Sequence, residues 1–189
     1  MAGTFPHVPK SYKEALQSSF APQWQAAMDE EFNRLITNKT WKLTHLPPGR
    51  KAIRCKWVYA LKTKPDGSID RLKARLVARG CSQIPGADFH ETFSPIVKYD
   101  SLRIILALVA SLDLHMRQFD IKTAFLYGSI QEEIYMEQVE GYVDPTWVEA
   151  VCKLLQALYG LRQSSRAWSK KMEAFLKAFG LYQAAVDHS

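Results

Sequence analysis

The sequence predicts an α+β fold, because helical and strand patterns follow one another along the chain without regular alternation. Three observations support this: a helical apolar pattern over residues 22–37, two alternating strand patterns around a turn at 65–68, and a helical pattern over 168–179. Of the 189 residues, 47% are hydrophobic and 12% are aromatic, so the chain can bury a sizeable core. This composition excludes a disordered tail.

Several other protein classes are excluded by the composition. The longest apolar run, residues 104–112, is interrupted by Ser111 and is too short to cross a bilayer, so we expect no membrane association. No basic, apolar and small-residue series opens the chain, so no signal peptide is expected. Cys55, Cys81 and Cys152 are an odd number without metal-ligand spacing, which argues against a disulfide framework or a zinc site and fits a reducing compartment.

Two helices are predicted at the amino terminus. Ser11 and Glu14 have the spacing of a capping box, and Pro22 suits the first turn of a second helix, where its missing N–H costs nothing. Apolar residues then recur at helical spacing through about residue 37 and define one core-facing stripe: Trp24, Met28, Phe32, Leu35 and Ile36.

A β-hairpin follows. Residues 53–62 alternate between apolar and polar positions, with Ile53, Cys55, Trp57, Tyr59 and Leu61 on one face. The Pro-Asp-Gly-Ser sequence at 65–68 forms the turn, because proline fixes φ and glycine accepts positive φ. The second strand carries cations on one face, namely Arg71, Lys73, Arg75 and Arg79. Its other face is apolar and consists of Leu72, Ala74, Leu76 and Ala78.

The remaining elements are predicted from apolar runs and punctuation. Residues 88–98 read as an irregular connector. A helix over 102–112, capped by Ser101, is apolar on all sides and should be deeply buried. Further predicted elements are a buried strand over 118–125, a strand over 132–139, an apolar segment over 151–159 and a helix over 168–179.

Charge is distributed unevenly and indicates a polyanion partner. Residues 42–80 hold 11 basic and two acidic side chains, whereas residues 81–150 hold four basic and 11 acidic ones. Strand geometry spaces Arg71, Lys73 and Arg75 at about 7 Å, which is comparable to successive phosphates of an extended nucleic acid. Arginine and lysine both bind phosphate oxygens. The alternative is a solvated strand face without a partner.

Two other features could carry chemistry. Asp120 is an acid within an apolar run, so it requires a cation, hydrogen bonds or solvent. It could bind Mg²⁺ or, alternatively, pair with an arginine or cap a helix. In the segment 158–168, Arg162, Gln163 and Arg166 could donate to phosphates or base edges, although a turn entering a helix explains them equally well. No Walker loop, dinucleotide fingerprint or Gly-x-Ser-x-Gly sequence is present.

Taken together, the motifs resemble the reverse transcriptase of Ty1/copia-type LTR retrotransposons, and the resemblance runs from about Tyr12 to the carboxy terminus. The motifs that carry it are Trp24, Ala27-Met28, Glu31, Asn38-Lys-Thr-Trp41, Lys56-Trp-Val-Tyr59, Arg71-Leu-Lys-Ala-Arg-Leu-Val-Ala-Arg-Gly80, Glu91-Thr-Phe-Ser-Pro95, Gln118-Phe-Asp-Ile-Lys-Thr-Ala-Phe-Leu126, Glu133-Ile-Tyr-Met136 and Leu158-Tyr-Gly-Leu161. The resemblance implies a right-hand polymerase, of which this chain supplies the fingers and the first part of the palm. It assigns residues 1–40 to an amino-terminal helical segment and 41–189 to the polymerase, with fingers at about 41–94 and 128–162 and palm at about 95–127 and 163–189.

The resemblance also implies roles for particular residues. Lys73 and Arg75 would contact the triphosphate of the incoming nucleotide and the template. Asp120 would be the first metal-binding aspartate, and Ile121 would offer its backbone carbonyl to the same metal. Three further residues would surround the nucleotide: Phe125 would exclude a ribose 2′-hydroxyl, while Tyr159 and Gly160 would pack beneath the nucleotide and the template base. The family chemistry is phosphoryl transfer with two Mg²⁺ ions.

One feature of the family pattern does not occur in this sequence. The Tyr-x-Asp-Asp motif that supplies the second pair of aspartates is absent from all 189 residues, so we expect a reverse transcriptase fragment without polymerase activity of its own. The partners implied are an RNA template, a DNA primer, deoxynucleoside triphosphates and the remainder of a polyprotein, in cytoplasmic virus-like particles. The alternatives are a remnant that binds nucleic acid without catalysis and an inert pseudogene fragment.

Overall fold

The structure, a computed structural model, describes residues 7–184. Helices and strands are mixed within it, in agreement with the α+β prediction. In chain order the elements are α1 (Tyr12–Gln17), α2 (Ala21–Thr37), β1 (Trp41–Thr44), β2 (Cys55–Thr63), β3 (Ile69–Ala78), α3 (Tyr99–Ser111), β4 (Tyr135–Met136), β5 (Val151–Leu154) and α4 (Ser164–Ala178), with short 3-10 turns at Gly80–Ser82 and Ala124–Tyr127. Within residues 7–184, no helix is both long and apolar enough to span a membrane.

The two amino-terminal helices form as predicted, but the assignment of Ile36 to the core-facing stripe is wrong, because this residue is 48% exposed near the end of α2. The Ser11 side chain accepts a hydrogen bond from the Glu14 backbone N–H at 3.2 Å, which caps α1. The Glu14 carboxylate accepts from the Lys10 N–H at 2.8 Å, so the reciprocal bond of a capping box goes to Lys10 instead of Ser11. Pro22 lies in the first turn of α2, and Trp24 is fully buried on the inner face of this helix.

β2 and β3 form the predicted antiparallel hairpin. Their register runs from Cys55 opposite Ala78 to Lys62 opposite Arg71, and α2 packs against β3. The turn contains Gly67 at φ +81°, a conformation that favours glycine. The alternation of apolar and polar residues therefore predicted both the hairpin and its two faces correctly.

A second, three-stranded antiparallel sheet has the order β1-β5-β4. Ile53 links it to the hairpin, because the Ile53 N–H donates to the Tyr135 carbonyl at 2.8 Å and the Glu137 N–H donates to the Ile53 carbonyl at 2.9 Å. Helix α2, the hairpin and this sheet enclose one core. Its fully buried large apolar side chains are Trp24, Met28, Leu35, Leu76, Ile134, Met136, Val139, Cys152 and Leu158.

The prediction of a deeply buried helix after residue 100 is wrong in two respects, its capping residue and its burial. The helix forms as α3, but it begins at Tyr99 with Lys98 as the capping residue, so Ser101 lies inside the first turn. None of its residues is buried, and Ile104 is 61% exposed. An apolar surface is buried only where another element covers it, and no element does so for α3 in the described part of the chain.

The predicted strand over 118–125 is not formed. Residues 114–121 have no regular structure, Thr123 takes a left-handed conformation at φ +56°, and Ala124–Tyr127 form a 3-10 turn. A strand requires a hydrogen-bonded partner, and residues 7–184 supply none here. The strand predicted over 132–139 is reduced to β4, and the carboxy-terminal helix begins earlier than predicted, at Ser164.

Candidate nucleic-acid interface

The cations of β3 lie on the face of the hairpin opposite the core. Lys73 and Arg75 are half-buried, whereas the alternating residues Ala74 and Leu76 are buried on the inner face. Within the described residues neither Lys73 nor Arg75 forms an ion pair at 4.0 Å or less. Arg71 is exposed at the end of the same row. The predicted row of cations is therefore present and open to a ligand.

A polar cleft of about 230 Å³ gathers most of the residues that the sequence singles out. Its walls come from α2, β3, the segment before the second 3-10 turn and the turn before α4. The lining residues are Glu30, Glu31, Arg34, Arg71, Lys73, Arg75, Asp120, Ile121, Lys122, Thr123 and Tyr159. Five of these residues are basic and three are acidic, so the cleft has a net positive charge that favours an anionic ligand.

Asp120 enters this cleft from an exposed loop. Its side chain is exposed, and none of residues 7–184 forms an ion pair or hydrogen bond with its carboxylate. The alternative in which a buried Asp120 pairs with an arginine is therefore wrong. Ile121 lines the cleft beside it. Among the described residues, no group of three or more histidine, cysteine, aspartate or glutamate side chains could hold a metal ion.

Aromatic side chains connect the hairpin to the loop that carries Asp120. The Arg75 guanidinium lies 5.3 Å from the centre of the Tyr159 ring, within the range of a cation–π contact. The Tyr159 and Phe125 rings are 4.8 Å apart and inclined at 60°. Phe125 does not line the cleft itself but contacts Tyr159, which does.

Gly160 lets the turn before α4 approach the end of β3 closely. Its φ is +90°, and a Cβ at this position would lie 2.1 Å from the Ala78 carbonyl oxygen. This proximity allows the Ala78 N–H to donate to the Tyr159 carbonyl at 2.8 Å. Gly80 meets the same constraint from the other side, because its Cβ would lie 2.1 Å from the Gly160 carbonyl oxygen. The paired glycines therefore fix Tyr159 beside Arg75.

Burial and neighbouring charge perturb two groups in the cleft. Burial raises the pKa of Glu31, although the nearby Arg34 acts in the opposite direction. Burial also lowers the pKa of Lys73, and the positive charges of Arg75 and Arg71 lower it further. The two shifts have a common physical cause, since each charged group has lost part of its water.

Sequence reasoning missed a buried polar network beside the cleft. The Gln83 side chain donates to the Gln163 side-chain oxygen at 3.0 Å, and the Gln163 amide donates to the Asp88 carbonyl at 2.7 Å. The Gln83 oxygen accepts from the Arg162 N–H at 2.9 Å. Gln83 and Gln163 are 5% and 4% exposed. Because the partners are some 80 residues apart in sequence, local patterns gave no signal for this network.

The predicted phosphate donors of the 158–168 segment are used inside the protein. Gln163 belongs to the buried network, and the Arg162 Nε donates to the Gly80 carbonyl at 3.2 Å. Arg166 donates to the Phe93 carbonyl at 3.2 Å and pairs with Glu91. Of the two interpretations of this segment, the geometry therefore favours the turn that enters a helix.

A basic hairpin and an unpaired carboxylate around one polar cleft are typical of proteins that bind ligands with phosphate groups. Comparison with known proteins narrows this class. The chain belongs to the reverse transcriptase (RNA-dependent DNA polymerase) family, whose model matches residues 38–189. The resemblance to copia-type elements is thereby confirmed.

Several relatives are polyproteins of transposons. The chain is 49% identical to the retrovirus-related Pol polyprotein from transposon TNT 1-94 of Nicotiana tabacum over 90% of its own length and 13% of the relative's. It is 40% identical to the Pol polyprotein from transposon RE2 of Arabidopsis thaliana, over 94% of the chain and 12% of the relative. Identity to the Transposon Ty1-BL Gag-Pol polyprotein of Saccharomyces cerevisiae is 33%, over 79% of the chain and 8% of the relative. The chain thus spans about an eighth of the plant relatives, and no solved structure matches it.

Proposed function

We propose that this chain is the part of a copia-type reverse transcriptase that receives the incoming deoxynucleoside triphosphate and the template strand. The observation that supports this most is the cleft, in which Lys73 and Arg75 of β3 meet Asp120 from a separate part of the chain. Phosphate-binding cations and a metal-binding carboxylate at one site are what phosphoryl transfer requires. DNA synthesis itself would occur in a polyprotein together with an RNA template and a DNA primer.

The cations would bind phosphate. Lys73 and Arg75 have no anionic partner at 4.0 Å or less among residues 7–184, so binding a triphosphate or a template phosphate would break no ion pair of theirs. Arginine can bind two phosphate oxygens at once, and lysine adds a mobile point charge. The contact between Arg75 and Tyr159 would keep the guanidinium facing the cleft.

The aromatic pair would recognise the sugar and the base. Tyr159 lines the cleft and would pack beneath the nucleotide, while Gly160 permits the close approach that puts it there. Phe125 would exclude a ribose 2′-hydroxyl and so select deoxynucleotides. Because Phe125 does not line the cleft, this role requires the loop that carries it to move when the nucleotide binds.

Asp120 and the Ile121 carbonyl would bind Mg²⁺, and the exposed, unpaired carboxylate fits this role. The ion, when bound, would activate the primer 3′-hydroxyl and offset charge on the triphosphate. Two ions about 4 Å apart require carboxylates from more than one strand, and the sequence contains no Tyr-x-Asp-Asp motif. We therefore expect the 189-residue chain alone not to extend a primer. Primer extension that depends on Mg²⁺ would contradict this.

In this proposal residues 41–94 and 128–162 form the fingers, while 95–127 and 163–189 belong to the palm. The remainder of the polyprotein would supply the other catalytic carboxylates, and the assembled enzyme would act in cytoplasmic particles. The second candidate function is nucleic-acid binding without catalysis. It is favoured by one observation, that residues 7–184 contain no cluster of metal-binding side chains although the basic cleft is complete.

The proposal is tested by the salt dependence of binding to a fluorescent RNA–DNA primer–template. If the cleft neutralises about four phosphates, log K should fall with log salt with a slope near −3 to −4. The double variant Lys73→Ala/Arg75→Ala should reduce the magnitude of this slope by about 2. The matched control is Lys170→Ala/Lys171→Ala, which removes the same charge from the exposed side of α4, outside the cleft.

Equal losses in both double variants would overturn the proposed site, since binding would then reflect total charge alone. Asp120→Asn separates the two candidate functions. If the chain is a pure binding module, Asp120→Asn should bind the primer–template as tightly as the wild type does, whether Mg²⁺ is present or absent. In a metal-binding polymerase site, wild-type triphosphate binding should strengthen on addition of Mg²⁺, and the variant should lose that gain.

A further inference from the structure

Glu31 is the most buried charged group beside the cleft, and none of the roles above uses it. It lies on the face of α2 that packs against β3, and it is 4% exposed. Its neighbour Glu30 lines the same cleft but has a side chain that is 69% exposed. A carboxylate loses much of its hydration when it is buried, so Glu31 must be stabilised by specific partners.

The partners of Glu31 belong to the cleft. Its carboxylate pairs with the Arg34 guanidinium at 3.2 Å, and the backbone N–H of Leu76 lowers its pKa. The positive charges of Lys73 and Arg75 also act on it. Glu31 therefore joins α2 to β3 at the point from which the phosphate-binding cations project.

The Leu76 backbone N–H belongs to a free strand edge. β3 pairs with β2 on one side only, so the N–H groups on its other side need acceptors. Two residues along the same edge, the Ala78 N–H donates to the Tyr159 carbonyl at 2.8 Å. Tyr159 thus binds the edge of β3 close to Arg75, and Glu31 lies along the same edge.

The cations also need a counter-charge. Arg71, Lys73 and Arg75 project from one strand face at intervals of about 7 Å and repel one another. The charges of Arg71 and Arg75 lower the pKa of Lys73, while the charge of Glu31 acts in the opposite direction. A fixed anion between α2 and β3 reduces the cost of holding these cations together before a ligand arrives.

We infer that Glu31 is a positioning residue, which holds the edge of β3 and keeps Lys73 and Arg75 in the arrangement that binds polyphosphate. This inference rests on the proposed function and adds to it a residue of α2 that touches no ligand. The two possible roles of Glu31 predict opposite changes in anion binding when its charge is removed. If Glu31 merely contributed charge, Glu31→Gln would strengthen anion binding, because it removes a negative charge from the cleft. If Glu31 positions the cations, the same change weakens binding.

The test is calorimetric binding of inorganic triphosphate and of a deoxynucleoside triphosphate to the full chain. Glu31→Gln keeps the size of the side chain and removes its charge, and we expect it to weaken binding about fivefold. Glu149→Gln is the control, because it makes the same charge change at an exposed residue outside the cleft. We expect Glu149→Gln to bind as tightly as the wild type or slightly more tightly.

A double-mutant cycle separates positioning from general structural damage. If Glu31 acts through Lys73 and Arg75, then Glu31→Gln should have little further effect in the Lys73→Ala/Arg75→Ala background. Glu31→Asp keeps the charge and should bind triphosphate more tightly than Glu31→Gln. Thermal unfolding of each variant shows whether it is folded during the measurement.

Three outcomes would overturn this inference alone: triphosphate binding that Glu31→Gln leaves unchanged or strengthens, effects that are additive with Lys73→Ala/Arg75→Ala, or a Glu31→Asp variant no better than Glu31→Gln. Absence of triphosphate binding by the wild-type chain would overturn the proposed function and this inference together. The wild-type measurement therefore distinguishes the two failures.

Discussion

Two regions of this chain have similar apolar sequences and very different environments. In α2 and the hairpin, the apolar stripe is buried, and Met28 and Leu76 are both inaccessible to solvent. In α3, apolar residues are denser still, yet Ile104 is 61% and Leu108 is 50% exposed. The difference teaches that an apolar pattern expresses a tendency to be buried, whereas the burial itself depends on what packs against it.

The candidate site combines the packed hairpin with the exposed segment that follows α3. Lys73 and Arg75 stand on a strand whose other face is buried in the core, so their backbone positions are fixed by packing. Asp120 comes from an exposed segment without regular structure. The phosphate-binding side of the cleft is therefore preorganised by the chain itself, and the carboxylate side is not.

The largest expected effect comes from truncating matched leucines in the two regions. Leu76→Ala should reduce the free energy of unfolding by about 2–5 kcal/mol, because it leaves a cavity in a closed core. Leu108→Ala should change it by less than about 0.5 kcal/mol, since half of this side chain is already exposed. Urea unfolding of both variants measures the difference. Equal losses would mean that α3 is covered in solution, for instance by a second copy of the chain.

Two glycines with similar backbone conformations also differ in whether other groups pack against them. Gly160 and Gly180 both have positive φ, at +90° and +77°, so alanine costs about 1–2 kcal/mol of backbone strain at either position. A Cβ at Gly160 would also meet the Ala78 carbonyl at 2.1 Å, whereas a Cβ at Gly180 meets nothing within 4 Å. Gly160→Ala should therefore destabilise the chain by about 3 kcal/mol in total and weaken triphosphate binding, because Tyr159 moves. Gly180→Ala should leave triphosphate binding unchanged.

Disrupting the buried glutamine network should lower stability by a smaller amount, and this network lies within the packed region of the chain. Gln163→Ala leaves the Gln83 side chain and the Asp88 carbonyl short of a partner, which should cost about 1–3 kcal/mol. Gln17→Ala, at an exposed position in α1, is the control and should be nearly neutral. Thermal unfolding compares the two. A neutral Gln163→Ala would indicate that water replaces the lost amide.

The same contrast explains how much the sequence could predict. Alternation predicted the hairpin, its cations and its buried face, because a two-stranded unit contains its own hydrogen-bonding partner. The predicted strand over 118–125 failed because its partner is not supplied by the residues that the structure describes. Local patterns also did not predict the burial of Glu31, because this burial depends on the packing of α2 against β3. The cations of the site were predictable, and the groups that position them were not.

The titration of Glu31 gives the smallest expected effect on stability, and the direction of this effect is well defined. Burial raises its pKa above the ordinary glutamate value of 4.5, so ionising it is harder in the folded than in the unfolded chain. Below the unfolded pKa both states are protonated, and the contribution of Glu31 to stability is fully present. That contribution is lost as the pH rises through the folded pKa. Compared with Glu31→Gln, the wild type should therefore lose stability over this interval.

This difference is measured by unfolding wild type and Glu31→Gln from about pH 4 to pH 8. Carboxylates whose pKa is lowered, such as Glu14 and Asp66, produce the opposite trend in both proteins and cancel in the comparison. At neutral pH, Glu31→Gln should be at least as stable as the wild type while binding triphosphate less tightly. A residue retained for packing alone would give the reverse, with stability and binding lost together. Opposite signs in the two measurements would show that Glu31 is kept for the site at the expense of the fold.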